Sequence, residues 1–490
     1  MQEEKQFVNA IADIEKNFPQ WFTDVVIKTK LVDYGPVKGT MVMRPYGYAI
    51  WELIQQHMNK MFVETGHQNA YFPLFIPASF LNKEKEHVEG FAPEVAVVTM
   101  AGGEQLAEPL VVRPTSETII GEMYAKWIQS YRDLPVLINQ WANVVRWEKT
   151  TRPFLRTSEF LWQEGHTAHA TEEEAMQETL QMLGIYKKFL EEYLAIPVFT
   201  GQKTEKEKFA GAVATFGVEA MMKDGKSLQS ATSHYFGQNF AKAFDIQFLD
   251  ADGKHKHVYT SSWGSSTRMI GALIMAHGDQ RGLILPPRVA PIQAIIVPIM
   301  QKKQGVLEAV ASLKAKLQNA GIRVESDQTD NTPGWKFNEW EMKGVPIRLE
   351  LGPRDIEQNK VILFRRDTFE KIEVSLDEVV EKVTELLECI QRDLYQAALL
   401  RRQKKIVVAN TEKELKDAVD SGNFVQAGWC GDRSCEEQIK ANTSATARVM
   451  LDESNKNPVF STTPHPAQSN TVCVCCGKKK KHTVLFAKAY

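Results

Sequence analysis

The segment 143–169, NVVRWEKTTRPFLRTSEFLWQEGHTAH, constrains this chain most, because charged and large aromatic side chains are interleaved along it. A surface helix can carry the charges, but it would not also carry two tryptophans and two phenylalanines without a cleft to place them in. Arginines spaced along an aromatic segment suit a site that grips phosphate bidentately and stacks a flat base. A charged amphipathic element with ordinary ion pairs is the alternative, and this segment alone does not separate the two.

Three other polar segments occur in order along the chain: VVRPTSE (111–117), QSATSH (229–234) and SWGSSTR (262–268), the last followed by GDQRGLILPPR (278–288). Together the segments resemble class II aminoacyl-tRNA synthetases, and in detail the prolyl-tRNA synthetases of the archaeal and eukaryotic-type branch. The resemblance covers about residues 22–490. It implies an ATP-dependent ligase that charges tRNA(Pro) with L-proline as a homodimer. A non-catalytic tRNA- or protein-binding paralogue of the same fold is the alternative.

Length and local composition predict several domains, because 490 residues are too many for one hydrophobic core. The breaker cluster LPPRVAP (285–291) and the basic segment RRQKK (401–405) indicate two boundaries. With the resemblance, we expect an α+β protein. Its parts are an antiparallel-sheet class II catalytic domain (1–285), an α/β anticodon-binding domain (286–400) and a small zinc-binding C-terminal domain (401–490).

The sequence also indicates where the protein is located and how it could bind a nucleotide. The N-terminal segment lacks a signal-peptide pattern and no apolar run is long enough to span a bilayer, so we expect a cytoplasmic protein without membrane contact. A formal net charge of −2 argues neither for nor against a nucleic-acid partner. The chain has no glycine-rich phosphate loop, so bound ATP must be held by arginines and aromatic rings.

Hydrophobic spacing predicts the elements around these motifs. Apolar residues recur at helical spacing in 46–65 and 172–194, and the segment 67–77 is typical of one strand that ends in proline. After residue 291, strand and helix patterns alternate up to residue 399, which predicts a parallel sheet covered by helices.

The resemblance assigns an ATP site whose catalytic residues are Arg146 and Arg268. Arg146 would bridge the proline carboxylate and the α-phosphate, and Phe160 and Arg268 would sandwich the adenine. The barrier would then fall through positioning and charge neutralisation. The further expected contacts are Glu148 to the adenine amino group, Arg156 to the γ-phosphate, Thr232, Ser266, and Gln229, which would also touch Mg2+.

The proline site is likewise implied by the resemblance. Thr115 and Glu117 would bind the charged secondary amine, and Arg146 the carboxylate. The ring pocket would be formed by Trp162, Glu164, His166, His234, Ser262, Trp263 and Gly264. Without the resemblance, each histidine is better interpreted as a hydrogen-bonded structural residue.

Sister enzymes of the same class fit the sequence less well. A threonine-type enzyme needs an active-site cysteine for zinc, but the first cysteine of this chain is Cys389. A seryl-type enzyme carries a long N-terminal coiled coil, for which residues 1–21 are too few. The retained Arg146, Glu148, Arg156 and Arg268 favour a working enzyme over a paralogue freed from catalysis.

The last third of the chain holds two further expected sites. Cys430-x4-Cys435 and Cys473-x2-Cys476 have the spacing of two metal half-sites, which predicts structural Zn2+ with four thiolates. Free cysteines in a reducing cytosol are the alternative, and Cys475 inside the second pair leaves the ligand assignment open.

In the anticodon-binding domain, Glu350 and Arg354 follow a strand, where a carboxylate and a guanidinium could read guanine edges. The terminal Tyr490 is expected to fray unless, as the resemblance implies, it turns toward the catalytic cleft.

The sequence predicts that the enzyme attaches alanine to tRNA(Pro) and does not remove it. A pocket for an apolar ring excludes a smaller side chain weakly, since each missing methylene is worth only ~1–3 kcal/mol. Bacterial-branch members of the resembled family carry an inserted editing domain, but the interval 167–261 leaves no room for one. In a purified reaction we expect alanyl-tRNA(Pro) to accumulate, measured by acid-gel analysis. Rapid hydrolysis of this product by the chain alone would show that an editing site exists.

Overall fold

The computed structural model describes residues 11–81, 83, 95–454, 456–465 and 471–490. The expectation about a signal peptide falls partly on residues 1–10, which lie outside this range. Within it, no helix is both long and apolar enough to cross a bilayer. The helices are α1 (Phe18–Lys28), α2 (Pro45–Glu64), α3 (Ala78–Leu81), α4 (Glu117–Trp127), α5 (Glu172–Glu192), α6 (Asn239–Ala243), α7 (Arg268–His277), α8 (Val306–Asn319), α9 (Pro333–Met342), α10 (Pro353–Glu357), α11 (Val379–Lys404), α12 (Glu412–Asp420) and α13 (Arg433–Thr443).

The strands form five sheets in the described part of the chain. They are β1 (Val32–Tyr34), β2 (Met41–Met43), β3 (Gln68–Asn69), β4 (Phe75–Pro77), β5 (Ala96–Ala101), β6 (Glu104–Val112), β7 (Val136–Val145), β8 (Glu159–His169), β9 (Val198–Gln202), β10 (Ala214–Met221), β11 (Ser227–Gly237), β12 (Gln247–Leu249), β13 (His255–His257), β14 (Tyr259–Ser266), β15 (Ala294–Pro298), β16 (Val324–Ser326), β17 (Ile347–Leu351), β18 (Lys360–Arg365), β19 (Lys371–Ser375), β20 (Ile406–Val408), β21 (Phe424–Trp429), β22 (Thr446–Met450) and β23 (His482–Ala487).

The largest sheet has eleven strands in the order β20-β21-β23-β22-β9-β10-β11-β14-β8-β7-β3. From β9 to β7 every neighbouring pair is antiparallel. Helix α5 covers one face and begins with a capping box, in which Thr171 and Glu174 bond each other's backbone amides. Its apolar stripe, including Met182, Tyr186 and Phe189, is fully buried. The expected α+β architecture with an antiparallel catalytic sheet is confirmed.

The segment 67–77 is not one strand, which corrects the sequence-based interpretation. Its first part, β3, lies parallel to β7 in the large sheet, and its last part, β4, pairs with β6 in a separate three-stranded sheet. The chain leaves the first sheet at Phe72, whose amide donates to the Gln140 side chain at 2.5 Å. Pro73 follows and has no amide hydrogen to continue a ladder.

A second sheet, β16-β15-β17-β18-β19, lies between the two expected domain boundaries. Strands β16, β15 and β17 are parallel, as the alternating pattern predicts, but β18 and β19 pair antiparallel. The prediction of a wholly parallel sheet is therefore wrong. The connection from β17 to β18 holds only the short helix α10, and a parallel crossover needs a dozen or more residues.

The C-terminal strands continue the eleven-stranded sheet beyond β9. Strand β22 pairs with β9 at Met450 and Gln202, and residues 459–461 bond Thr200 on the same edge. The junction is close because Gly201 has no side chain: a Cβ there would lie 2.3 Å from the Met450 carbonyl oxygen. The two parts of the chain thus share one hydrogen-bonded surface.

We predict that Gly201→Ala destabilises the protein by about 1–3 kcal/mol, the usual range for overpacking a close contact. Gly184→Ala in helix α5 is the matched control, because its Cβ would meet only Val459 at an ordinary 3.7 Å. The control should be neutral or stabilising by up to about 1 kcal/mol, since alanine is the better helix former. Urea unfolding measures the stability of both variants. Equal stability would contradict the close contact of Gly201 with Met450.

Candidate active site and metal centre

A cleft opens on the face of the large sheet opposite helix α5. It is lined by strands β8, β10, β11 and β14, by the segments that follow β6, β7 and β9, and by the start of α7. Fifteen of the seventeen residues expected to bind proline or nucleotide border it, namely Thr115, Glu117, Arg146, Phe160, Trp162, Glu164, His166, Gln229, Thr232, His234, Ser262, Trp263, Gly264, Ser266 and Arg268. The structure therefore brings together residues that are distant in the sequence.

Strand periodicity explains why β8 supplies four of them. Successive side chains of a strand point to opposite faces, so Phe160, Trp162, Glu164 and His166 share one face. The intervening side chains point to the core. Among these, Gln163 accepts a hydrogen bond from the buried Tyr186 hydroxyl of α5 at 2.6 Å.

A β-bulge in β11 brings Gln229 and Thr232 to the same cleft, although simple alternation would place them on opposite faces. Val218 pairs with Ala231 and Glu219 with Gln229, so Ser230 is the extra residue. A bulge shifts the alternation of the strand by one residue. Gln229 consequently joins Thr232 on the cleft side.

Arg146 lies at the centre of the cleft, just after β7. Its guanidinium carbon is 5.5 Å from the centre of the Phe160 ring and 5.4 Å from that of Trp162. Its Nε donates to the Pro114 carbonyl oxygen at 3.0 Å. The two aromatic faces and this carbonyl orient a positive charge where a carboxylate and a phosphate can meet.

Arg268 begins helix α7 and holds a fixed position. Its Nε donates to the Leu155 carbonyl oxygen at 3.1 Å and its Nη1 to that of Gln229 at 3.3 Å. Burial, together with the nearby charges of Arg156 and Arg146, lowers the pKa of Arg268 to about 10. It stays cationic at neutral pH, and the crowding of three arginines favours an anionic ligand.

Glu148 and Arg156 do not border the cleft itself. Both lie in the segment between β7 and β8, where their side chains form an ion pair at 3.4 Å. Arg156 is half exposed, with 52% of its side chain accessible. Their expected contacts with adenine and the γ-phosphate remain predictions.

Glu117 is a carboxylate that borders the cleft. It is buried and accepts hydrogen bonds from the hydroxyls of Thr115 and Ser262, the second at 3.3 Å. Neutral hydroxyl donors orient the carboxylate without neutralising it. The group can therefore receive a charged amine from a ligand.

Glu164 and His166 support the site more than they form its wall. The Glu164 carboxylate accepts from the Ser116 amide at 3.0 Å, from the Ser116 hydroxyl, from Gln140 and from the His166 ring at 2.9 Å. Burial alone would raise the pKa of Glu164, but His166 outweighs it and the pKa is lowered. Burial conversely opposes the charged form of His166, yet Glu164 raises its pKa. This buried ion pair fixes the segment that carries Thr115 and Glu117.

His234 is neutral, in contrast with His166. Burial lowers its pKa to about 4, and its Nδ1 lies 3.1 Å from the Thr215 hydroxyl. The Phe209 ring packs 4.4 Å from the imidazole.

Phe209, Thr215 and Glu207 border the cleft but were not expected from the sequence. No motif distinguishes them: Thr215 lies on β10, and Glu207 and Phe209 lie in the segment between β9 and β10.

Trp263 borders the cleft, but its ring does not close the pocket as expected. The indole packs in the core on the opposite face, 4.9 Å from the Phe62 ring and 5.0 Å from that of His67. Gly165 makes this possible, since a Cβ there would lie 2.1 Å from the indole. Neighbouring Gly264 leaves space for Trp162, whose ring would be 3.4 Å from a Cβ.

The terminal Tyr490 is not frayed, which corrects the expectation from sequence alone. Its hydroxyl donates to Asp224 at 2.7 Å, and its amide donates to the Ser227 carbonyl oxygen at 3.1 Å. The Lys226 ammonium lies 4.8 Å from the ring centre. The chain end is thus anchored at the start of β11, two residues before Gln229.

Four cysteines form a second candidate site, at the junction of β21, α13 and the segment before β23. The sulfurs of Cys430, Cys435, Cys473 and Cys476 lie within 4.8 Å of one another. The Cys430–Cys435 and Cys430–Cys476 distances are 3.7 and 3.8 Å. A zinc ion with ~2.3 Å bonds to four tetrahedral sulfurs requires sulfur separations of about 3.8 Å. The donors therefore fit structural zinc, and Cys475 stands outside the group.

The two residues expected to read the anticodon have different surroundings. Glu350 on β17 is mostly buried and accepts from Arg348 at 2.8 Å and Lys371 at 3.1 Å. Arg354, in the short helix α10, is exposed. Glu350 must therefore exchange or share a partner before it can read a base.

The antiparallel sheet, its arginine-lined cleft and the attached α/β unit define a class II aminoacyl-tRNA synthetase. Family models agree: residues 100–277 match the tRNA synthetase class II core domain (G, H, P, S and T) and residues 293–386 an anticodon binding domain. Residues 412–490 match the prolyl-tRNA synthetase C-terminal model. The chain belongs to the prolyl-tRNA synthetase family, as the relatives below show.

Three similar proteins illustrate the relationship. Proline–tRNA ligase from Symbiobacterium thermophilum is 57% identical over 500 residues, covering 100% of both chains. That from Alkaliphilus oremlandii is 58% identical over 491 residues, covering 99% of both. The crystal structure of prolyl-tRNA synthetase from Cryptosporidium parvum complexed with halofuginone and AMPPNP superposes with a TM-score of 0.92 at 40% identity, covering 100% of this chain and 99% of that one. The family is thus confirmed, whereas the archaeal and eukaryotic-type branch is not, since the two ligases come from bacteria.

The pair of Glu164 and His166 predicts a pH-dependent stability. Because the folded-state pKa of His166 is raised above ~6.5, its contribution is complete below that pH and is lost as pH rises through the raised value. His166→Gln should therefore cost most stability below about pH 6.5. Urea unfolding of the wild-type protein and of His166→Gln, repeated from acidic to alkaline pH, measures this loss of stability. The exposed His255→Gln is the control, and a destabilisation by His166→Gln that grows with pH would contradict the assignment.

Proposed function

We propose that this chain is a proline–tRNA ligase, which activates L-proline with ATP to prolyl-adenylate and transfers the prolyl group to the 3′ end of tRNA(Pro). The observation that carries the proposal is the single cleft that joins Glu117, an amine-binding carboxylate, to Arg146 and Arg268. Proline–tRNA ligases more than half identical over the whole chain support it.

The chemistry requires little covalent work from the protein. The proline carboxylate attacks the α-phosphate of ATP and pyrophosphate leaves. Arg146 offsets charge on both reacting groups, Glu117 holds the amine, and the aromatic rings of Phe160 and Trp162 keep the guanidinium oriented. Positioning and preorganised charge together lower the barrier.

ATP is the proposed nucleotide, and the AMPPNP in the Cryptosporidium parvum structure supports it. Phe160 and Arg268 would sandwich the adenine, with Thr232 and Ser266 nearby. The expected roles of Glu148 and Arg156 require the segment between β7 and β8 to close over the phosphates. Mg2+ would accompany the nucleotide as part of the substrate, with the Gln229 amide oxygen as a ligand.

Arg146→Ala should lower the rate of ATP–pyrophosphate exchange with proline by ~10²–10³, as removal of one preorganised donor does. The exposed Arg132→Ala is the matched control and should leave exchange unchanged. Near-normal exchange in Arg146→Ala would overturn the site assignment. A wild-type chain that binds tRNA but shows no exchange would favour the non-catalytic paralogue.

The tRNA partner is supported by the anticodon binding domain match at 293–386. We propose that Arg354 and Glu350 read anticodon bases, with Glu350 giving up Lys371 to do so. The domain division at residues 285 and 400 remains part of the proposal. It is supported by the family matches that begin at 293 and 412.

We propose a homodimer that buries the region around helix α2. In the described part of the chain, most exposed large apolar side chains lie in this N-terminal region: Tyr34, Val37, Val42, Tyr48, Val63, Tyr71, Phe75, Val97, Met100, Trp127, Tyr131 and Trp147. We propose that these side chains contribute to one apolar surface, because contiguous exposed apolar patches are typical of interaction sites. The archaeal and eukaryotic-type branch also stays a proposal, supported by the four-cysteine site and the motif order.

We expect one zinc ion per chain, bound by the four clustered cysteines as a structural site. Metal analysis of protein purified without chelator should give one equivalent, and Cys430→Ser should lose it. Cys475→Ser should retain it, because this sulfur stands outside the cluster. Loss of zinc should loosen the C-terminal strands first, since structural zinc contributes its binding energy to local folding. Absence of zinc from the wild-type protein would contradict the site.

A further inference from the structure

A buried charged cluster lies beside the nucleotide end of the cleft and belongs to no role described above. Its centre is Glu219 on β10, whose carboxylate accepts from Lys203 and from the Ser227 hydroxyl, both at 2.5 Å. Arg448, from the C-terminal strand β22, donates with Nη2 at 2.8 Å and Nε at 3.1 Å. All three charged side chains are buried, and Glu219 is wholly inaccessible.

Such a cluster is costly to bury, so its geometry is held firmly. Burial opposes ionisation of Glu219, but Arg448 and Lys203 outweigh it and lower its pKa to about 2. Two cations thus meet one carboxylate in a space without water access. Breaking a buried ion set by removing one member is strongly unfavourable unless the remaining charges stay matched.

The cluster touches the strand that forms the nucleotide end of the cleft. Glu219 lies directly opposite Gln229 in the β10–β11 ladder, and Ser227 precedes Gln229 by two residues. Gln229 in turn accepts from Arg268 through its carbonyl oxygen. Ser227 therefore connects the charged cluster to the two residues that face the nucleotide.

We propose that Arg448 is a positioning residue for ATP, acting through Glu219 and Ser227 on the placement of Gln229 and Arg268. The proposal rests on the function proposed above. The C-terminal unit would thereby complete the nucleotide site from outside it. Arg448 touches no substrate, and its effect is confined to the ATP end because the proline end is fixed separately by Glu164 and His166.

Arg448→Met in the full-length chain tests this by ATP–pyrophosphate exchange. The substitution leaves Glu219 and Lys203 as a matched pair, which favours folding. The KM for ATP should rise roughly tenfold, because displacing a positioning group weakens binding at a site by about this factor. The KM for proline should stay unchanged. Arg448→Lys should recover most of the loss. Arg433→Met, an exposed arginine of the same unit, is the control.

Ser227→Ala provides a second test that removes no buried charge, only the neutral hydroxyl that donates to Glu219. It should also raise the KM for ATP, and the double variant with Arg448→Met should be no worse than the stronger single variant, because both act along one route. Changed thermal stability with an unchanged KM for ATP, an equal rise in both KM values, or additive effects would overturn the proposal. A wild-type chain without exchange would instead refute the proposed function itself.

Discussion

The antiparallel pairing from β9 to β7 is the constraint on which the rest of the structure depends. It places alternate residues of β8 in the cleft and the others against α5, so one strand builds both the site and the core. A register shift of one residue would exchange the two faces. The bulge at Ser230 adds Gln229 to the cleft, and the pairing of β11 with β10 continues before and after it.

At both ends of the cleft, a buried carboxylate is surrounded by hydrogen-bond donors that include basic side chains. At the proline end, Glu164 is surrounded by Ser116, Gln140 and His166, and at the nucleotide end Glu219 is surrounded by Ser227, Lys203 and Arg448. Each carboxylate orders a strand that carries ligand-facing groups. Glu117 also borders the cleft, and its hydrogen-bond donors are the neutral hydroxyls of Thr115 and Ser262, so a cationic substrate can bind there. The partition of charges thus distinguishes supporting from binding residues.

The sequence predicted the members of the cleft better than their roles. Motif residues such as Arg146, Phe160 and Arg268 are recognisable because the chemistry needs their side-chain types. Phe209 and Thr215 were missed, since a phenylalanine and a threonine carry no such signal. Thr215 reaches the cleft from β10, and Phe209 reaches it from the segment between β9 and β10. Trp263 borders the cleft, but the packing of its indole against Phe62 and His67 depends on elements that its own motif does not show. The antiparallel direction of β18 was not predicted, because connection length, not hydrophobic pattern, sets strand direction, and β19 was not predicted as a strand.

The shared sheet also bears on how the activities of this chain can be separated. Removing the residues after the expected boundary at 285 would take away the anticodon-binding unit, but it would also strip β22 from β9 and Arg448 from Glu219. The exposed β9 edge would have unpaired backbone groups, and Glu219 would lose its contact with Arg448. A loss of activation in such a truncation would therefore not measure the role of tRNA. Substitutions such as Arg354→Ala, which leave the sheet intact, separate tRNA recognition from catalysis more cleanly.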